Sequence, residues 1–318
     1  MHRAKPPALR LGDTIGIVAP ASDIKRESLL AGCNRLQELG YKTLYKDSIF
    51  DRELYFAGSV ARRVQELEEM FVRPEVRAIV CARGGYGTNY LLNSINLERI
   101  KANPKIFVGY SDTTTLLTYF ADAAGMMVFH GPMAAKDFAH SDGVDPTSWH
   151  AAMGGNPNWV VPSAGAKPLL EGSAEGILYG GCLSMLVASL GTRFEIQTGG
   201  TILFIEDVAA KPFQIDRMLM QLKLAGKFSG VRGMVFGEML DCAQSPNQPY
   251  TLEEVVLRVV RDLGIPVAFG LRSGHVSTGN VTLPIGVRAS LSVSKTEVEL
   301  RILESATLAE KAVGSKQI

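Results

Sequence analysis

"KIFVGYSDTTTLLTYFADAAG", residues 105–125, decides how the chain is read. Ile106, Phe107 and Val108 form a short apolar run that climbs to Gly109 and Tyr110 and halts at Ser111. Asp112 and three threonines follow, after which Leu116, Leu117, Tyr119 and Phe120 recur at helical spacing. The stretch predicts a buried strand, a sharp turn and an amphipathic helix, with a serine at the turn. Ser, Asp and Thr are also the side chains that best cap a helix. Equally, a serine at a strand-to-helix turn is where a hydrolase exposes a nucleophile, because the first helix amides favour negative charge developing beside it. On this stretch alone both readings stand. The order Gly-Tyr-Ser-Asp-Thr is not the G-x-S-x-G of the α/β-hydrolase elbow, so that family is not indicated.

The same unit repeats on either side. "TIGIVAP" (14–20), "KTLYKD" (42–47), "VRAIVCA" (76–82) and "GMMVFHG" (125–131) read as strands. Between them, residues 25–39 carry Leu29, Leu30, Cys33, Leu36 and Leu39 at helical intervals, and residues 59–72 carry Val60, Val64, Leu67, Met70 and Phe71 on one face. Near-continuous apolar strands alternating with helices predict a parallel sheet covered on both faces. Ligands bind such sheets beyond the carboxyl ends of the strands, which is where Ser111 falls. This organisation spans residues 1–141. Residues 142–167, rich in Gly, Pro, Ser and Asn, read as a linker. Residues 168–318 then offer shorter strands with more glycine, such as "GTILFIEDV" (200–208) and "VRGMVFGEM" (231–239). They also offer a helix from 251 that Thr251 and Glu254 close with a capping box. The expectation is α/β throughout, with a second, smaller mixed α/β domain.

Bulk properties narrow the function. The 318 residues are 46% hydrophobic and 20% charged, a globular composition with ample core. Thirty-three basic residues face thirty-two acidic ones, interspersed, for a net charge of +1. Neither nucleic acid nor an anionic membrane is an expected partner of so balanced a surface. Cys33, Cys81, Cys182 and Cys242 stand far apart in no metal-binding spacing, which fits a reducing compartment. The amino terminus mimics a signal peptide, but Arg10 and Asp13 interrupt it, and it reads better as a first buried strand. No run approaches the roughly 18 apolar residues of a membrane span. A soluble cytoplasmic protein is expected.

Several residues can carry chemistry. "CARGGYG" (81–87) ends a buried strand, and its glycines let backbone amides approach a ligand, although the pattern is not a nucleotide-binding fingerprint. Of the five histidines, His2 lies in the tail and His140 and His150 in or beside the polar segment. His130 and His275 both follow apolar strands and sit next to glycines. Glu206 and Asp207 come straight after another apolar run, and adjacent carboxylates face opposite ways on a strand, so at most one faces a site. Each of these residues also has an ordinary structural explanation. Together a serine, a carboxylate and a histidine at element ends, in the order Ser, Glu, His beside a glycine loop of amide donors, make up the inventory of a serine hydrolase.

With these residues in place, "GYSD" (109–112), "ARGGYG" (82–87), "HGPM" (130–133), "LFIEDV…KPFQIDRML" (203–219) and "GH…NVTLPIG" (274–286) resemble the LD-carboxypeptidase family of serine peptidases. That family includes the muramoyltetrapeptide carboxypeptidases and the microcin C7 self-immunity proteins. The resemblance runs from about Asp13 to Leu291 with the motifs in family order. It implies a Rossmann-like amino-terminal domain, a smaller carboxy-terminal domain, an active site between them, and a homodimer. Ser111 then matches the nucleophile, Glu206 the triad acid and His275 the base, with the amides of Gly85 and Asp112 as oxyanion hole. The implied reaction cleaves the bond between an L-configured centre and a terminal D-residue, such as D-alanine of a murein peptide, without metal or cofactor. Arg83 is the expected partner of the substrate carboxylate, and His130 is expected to line the pocket. Trp149 and Trp159 are the aromatic residues a nucleotide-conjugate substrate would need for stacking.

Overall fold

The computed structural model describes residues 3–242 and 248–308; His2, one of the five candidate bases, lies outside them. In the first half β1 (Thr14–Val18), α1 (Arg26–Glu38), β2 (Lys42–Leu44), α2 (Val60–Val72), β3 (Val76–Cys81), α3 (Leu97–Ala102), β4 (Ile106–Gly109), α4 (Thr114–Asp122) and β5 (Val128–His130) alternate. The strands lie in the order β2-β1-β3-β4-β5, every pair parallel. Every residue of β4 and β5 is buried, as a parallel strand covered on both faces requires. Helix α4 turns Leu116, Leu117 and Phe120 inward, and the Phe120 ring meets Phe107 of β4 edge-on. That packing fixes the helix directly above the strand that delivers Ser111.

The second half contains α5 (Pro146–Met153), β6 (Trp159–Val160), β7 (Lys167–Leu170), β8 (Gly172–Cys182), α6 (Leu183–Ala188), β9 (Thr201–Glu206), α7 (Pro212–Leu224), β10 (Gly233–Gly237), α8 (Leu252–Val260), β11 (Val267–Leu271), β12 (Leu283–Ile285), β13 (Arg288–Val293) and β14 (Val298–Ile302). Its sheet runs β6-β14-β13-β8-β9-β10-β11-β7. The centre, β8 to β11, is parallel and the flanks are antiparallel. The capping box starts α8 as expected: Glu254 N donates to Thr251 Oγ1 and Thr251 N to Glu254 Oε2.

Two features depart from the sequence expectation. The stretch read as a linker, 142–167, holds α5, whose start Asp145 caps through Ser148 N at 2.7 Å with Pro146 in the first turn. It also holds β6, an edge strand on β14. Second, β12 leaves its own half and pairs antiparallel with β5 of the first sheet, Leu283 opposite His130. The two halves are thus stitched together next to a candidate site residue. All four cysteines are buried and unpaired. Among the described residues no helix is long and apolar enough to cross a membrane.

Candidate active site

The backbone of Ser111 bears on its two readings. Its φ is 62°, a left-handed conformation that costs a non-glycine residue about 1–3 kcal/mol and persists only where the surroundings enforce it. No side chain caps either the short 3-10 turn Ser111–Thr113 or α4. The Thr113 hydroxyl instead donates back to Tyr110 O at 2.8 Å. A cap has no need of this strain, whereas a strand-to-helix elbow that lifts a hydroxyl above the sheet does.

The glycine loop is fastened to this turn. Thr88 N donates to the Asp112 carboxylate at 2.9 Å, and Thr88 Oγ1 donates to Asp112 O at 2.7 Å. A Cβ on Gly84 would stand 2.7 Å from Ser111 Cβ and 3.3 Å from Asp112 N, so only glycine lets the two segments touch. The loop bearing Gly85 and the turn bearing Asp112 are therefore held against each other at Ser111. Burial pushes the Asp112 carboxyl above its ordinary value, with the Thr88 amide opposing.

Glu206 ends β9 with no solvent exposure. Its Oε2 accepts two bonds from one residue, His275 N at 2.9 Å and His275 Nδ1 at 2.7 Å. Nδ1 therefore carries the proton and Nε2 is left as an acceptor, the tautomer a general base needs. Gly274 makes the approach possible: its φ is 92°, and a Cβ there would lie 2.5 Å from Glu206 Cδ. Asn280 clamps the same loop, accepting from Gly274 N, and donating to Gly274 O and Asp137 Oδ1. Burial by itself would raise the Glu206 carboxyl, but the charge and two hydrogen bonds of His275, with His130 nearby, outweigh it and hold it below the usual carboxylate range. Asp207, one residue on, faces away and accepts from Ser184 N and Oγ, and burial pushes it upward. Strand alternation separates the two acids as anticipated.

Ser111 and His275 line one cavity of about 550 Å³ with Gly84, Gly85 and the cations Lys25, Arg83 and Lys136; among the described residues no carboxylate lines it. The Tyr110 ring, next to Ser111, meets the His275 ring edge-on at 5.0 Å. The Ser111 hydroxyl is not hydrogen-bonded to His275, a contact that in such sites tightens only with substrate. Arg83 is exposed and donates to Asp23 O at 3.3 Å. His130 departs from expectation: it has no exposure and does not line the cavity, because β12 covers it on one side and Glu206 stands before it. Trp149 is buried against Phe138, and Trp159 lies in β6; neither reaches the cavity. Sequence reasoning missed Thr88, Asn280, Lys25 and Lys136. Their roles depend on partners 24 to 143 residues away or on the cavity itself, and no local pattern announces them.

Comparison with known proteins shows which family the chain resembles. Residues 15–131 match the LD-carboxypeptidase N-terminal domain and residues 175–291 the LD-carboxypeptidase C-terminal domain. The chain is 37% identical to the probable murein peptide carboxypeptidase of Bacillus subtilis over 92% of each chain. It is 30% identical to the microcin C7 self-immunity protein MccF of Escherichia coli, over 92% of this chain and 94% of that one. Among solved structures, the muramoyltetrapeptide carboxypeptidase from Oxalobacter formigenes superposes with a TM-score of 0.81 at 28% identity, covering 91% of this chain and 98% of the other.

Proposed function

The chain belongs to the LD-carboxypeptidase family, and from that premise we propose that Ser111, His275 and Glu206 carry out its peptidase reaction. The substrate of this reading is a murein tetrapeptide, from which terminal D-alanine is released during cell-wall recycling in the cytoplasm by a homodimer. The observation that carries it is the pair of hydrogen bonds His275 gives to one buried oxygen of Glu206, behind the cavity that His275 and a left-handed Ser111 line.

The steps follow from the atoms. His275 Nε2 takes the proton of Ser111, whose oxygen attacks the carbonyl of the residue before D-alanine. Negative charge on the carbonyl oxygen falls to the amides of Gly85 and Asp112. The imidazolium returns its proton to the leaving amine, and water then hydrolyses the acyl-enzyme with His275 again as base. Lys25, Arg83 and Lys136 supply the positive wall that the terminal carboxylate and the other free carboxylates of the stem peptide require. Arg83 with its planar fork is the terminal-carboxylate partner of this reading.

The likeness to MccF sustains a second substrate, an aminoacyl-nucleotide conjugate. Neither tryptophan is placed to stack a base, which favours the peptide. A fluorophosphonate probe followed by mass spectrometry, and a panel of murein tri-, tetra- and pentapeptides with an aminoacyl sulfamoyl adenosine, tests both levels. Labelling confined to Ser111 and D-alanine release from tetrapeptide are the expected results. An unlabelled Ser111 reduces the cavity to a binding cleft, and turnover of the nucleotide conjugate alone moves the chain to the second reading.

A further inference from the structure

Behind the proposed triad, two buried polar atoms face each other without partners. Glu206 Oε1 and His130 Nε2 each lack a hydrogen bond and stand 3.6 Å apart, both residues being wholly buried. The other ring nitrogen, Nδ1, is 3.1 Å from Ser273 Oγ. Ser273 spends its own proton on Val281 O at 2.7 Å, so Nδ1 must be the donor in the first contact. With a single proton on the ring, an imidazole lone pair would then point at a carboxylate oxygen, in a place no solvent reaches. With a proton on each nitrogen, the same contact becomes an ion pair.

Charge balance points the same way. Glu206, wholly buried, is held below the usual carboxylate range and so charged, and His275 must be neutral before turnover to accept a proton. Both bonds of His275 go to Oε2, leaving Oε1 uncompensated. The titratable groups facing His130 are Glu206 from β9 and Tyr110 from the turn after β4, its ring centroid 5.8 Å away; Phe204 of β9 closes the third side. Through Tyr110 the next shell is Asp137, which accepts from its hydroxyl, and Lys136, 5.0 Å above its ring. His130 is thus the cationic candidate within reach of Oε1.

We propose that His130 is a positioning residue that carries protons on both ring nitrogens and holds Glu206 Oε1, so that one carboxylate serves two imidazoles. His275 is on the substrate side and His130 behind. Because His130 belongs to β5 and Glu206 to β9, the pair also locks the sheet that bears the nucleophile to the sheet that bears acid and base. This inference rests on the reading of Glu206 as the triad acid.

The test joins imidazole ¹⁵N NMR with kinetics of the full chain. In the wild type, His130 should show two protonated nitrogens at a pH where His275 shows one. In Glu206→Gln the His130 Nε2 proton should vanish, since an amide donor then faces it. His130→Met should lower kcat about ten- to a hundredfold, the usual loss when the outer partner of a functional side chain is removed, with KM within about twofold. It should also move the acid limb of kcat/KM to higher pH, because removing a neighbouring positive charge makes His275 easier to protonate. His130→Gln, which can still donate to Oε1, should recover most of kcat; mere filling of space would not separate the two variants this way. A singly protonated His130 in the wild type overturns the proposal even where the Met variant does not fold. So does a His130→Met enzyme with wild-type kcat and pH profile beside a crippled Glu206→Gln. An active Glu206→Gln removes the triad reading itself, and this inference with it.

Discussion

Replacing Glu206 by Gln preserves shape and removes one buried charge, so its effect can be worked out from the contacts. In a Ser-His-Asp triad the carboxylate-to-amide change costs about 10⁴-fold in kcat because the imidazole adopts the wrong tautomer. Here that route is closed. The oxygen facing His275 accepts the backbone N–H as well as Nδ1–H, and the backbone donor cannot reverse. The Gln side chain must therefore present its oxygen to His275 and its NH₂ toward His130, and His275 keeps the productive tautomer. What is lost is attraction between carboxylate and the imidazolium formed in the transition state. At about 4 Å and an effective dielectric near 20, that is at most about 4 kcal/mol. A tenfold change in rate corresponds to about 1.4 kcal/mol, so the ceiling is roughly 10³-fold. The acylation transition state carries only part of the charge, which brings the expectation to about 10²-fold, with KM little changed. Stability should hold, since both His275 bonds survive and a charge leaves the interior. Chromatographic assay of D-alanine release beside thermal melting reads both quantities. Retention of more than a third of wild-type turnover would remove Glu206 from the triad. A loss of 10⁴-fold or more with an intact fold would show that the backbone bond does not pin the amide.

Asp207→Asn makes the matching control: kcat should stay within about threefold, while a buried acceptor lost from the Ser184 and Val208 bonds should cost about 1–3 kcal/mol in urea unfolding. Gly84→Ala pushes a methyl to 2.7 Å from Ser111 Cβ and should lower kcat by about a hundredfold, the scale of an ångström-sized misplacement, with unchanged activity refuting the contact. Tetrapeptide ending in L-alanine should react about 10⁴-fold more slowly than the D-alanine form, because inversion removes the carboxylate from its partner; equal rates would contradict the substrate assignment. Burial pushes the Lys105 amine down to about 8. A lowered amine contributes stability that is present above its unfolded value near 10.4 and is lost as pH falls through about 8. Wild type should therefore gain on Lys105→Met between pH 8 and 10 in urea unfolding, and parallel pH curves would refute the shift.

What could be read from sequence was whatever is encoded locally. The strand-turn-helix around Ser111 follows from an apolar triplet, a turn and a helical stripe, and the alternation of Glu206 and Asp207 follows from strand geometry alone. Helix α5 was legible but missed: Asp145-Pro146 followed by Ser148 is a helix-start signature, hidden within glycine-rich surroundings. The position of β12 was not legible. "LPI" is three apolar residues whose partner, β5, lies about 150 positions earlier, and a pairing over that distance leaves no periodic mark. The same strand explains the departure at His130. A histidine beside glycines at a strand end looks like a pocket residue until a distant strand closes over it.

The division of labour between the sheets explains why the site needs so many fastenings. Ser111 and the glycine loop follow β4 and β3, whereas Glu206 ends β9 and His275 lies in the loop after β11. A rigid-body slip of one sheet over the other would part Ser111 from His275 without breaking a strand pair in either. Several contacts resist such a slip at the seam, and three of them act near the site. Cys182 N, at the end of β8, donates to Thr114 Oγ1 at the start of α4. Asn280 ties the His275 loop to Asp137, which also accepts from Tyr110 beside the serine. β12 completes the first sheet with a strand from the second half. None of them engages the side chain of Ser111, Glu206 or His275. The side chains of Ser111 and His275 thus stay open to the cavity while the backbone that carries them is held in place. Pre-organisation of this kind is what converts a bimolecular attack into an effectively unimolecular one.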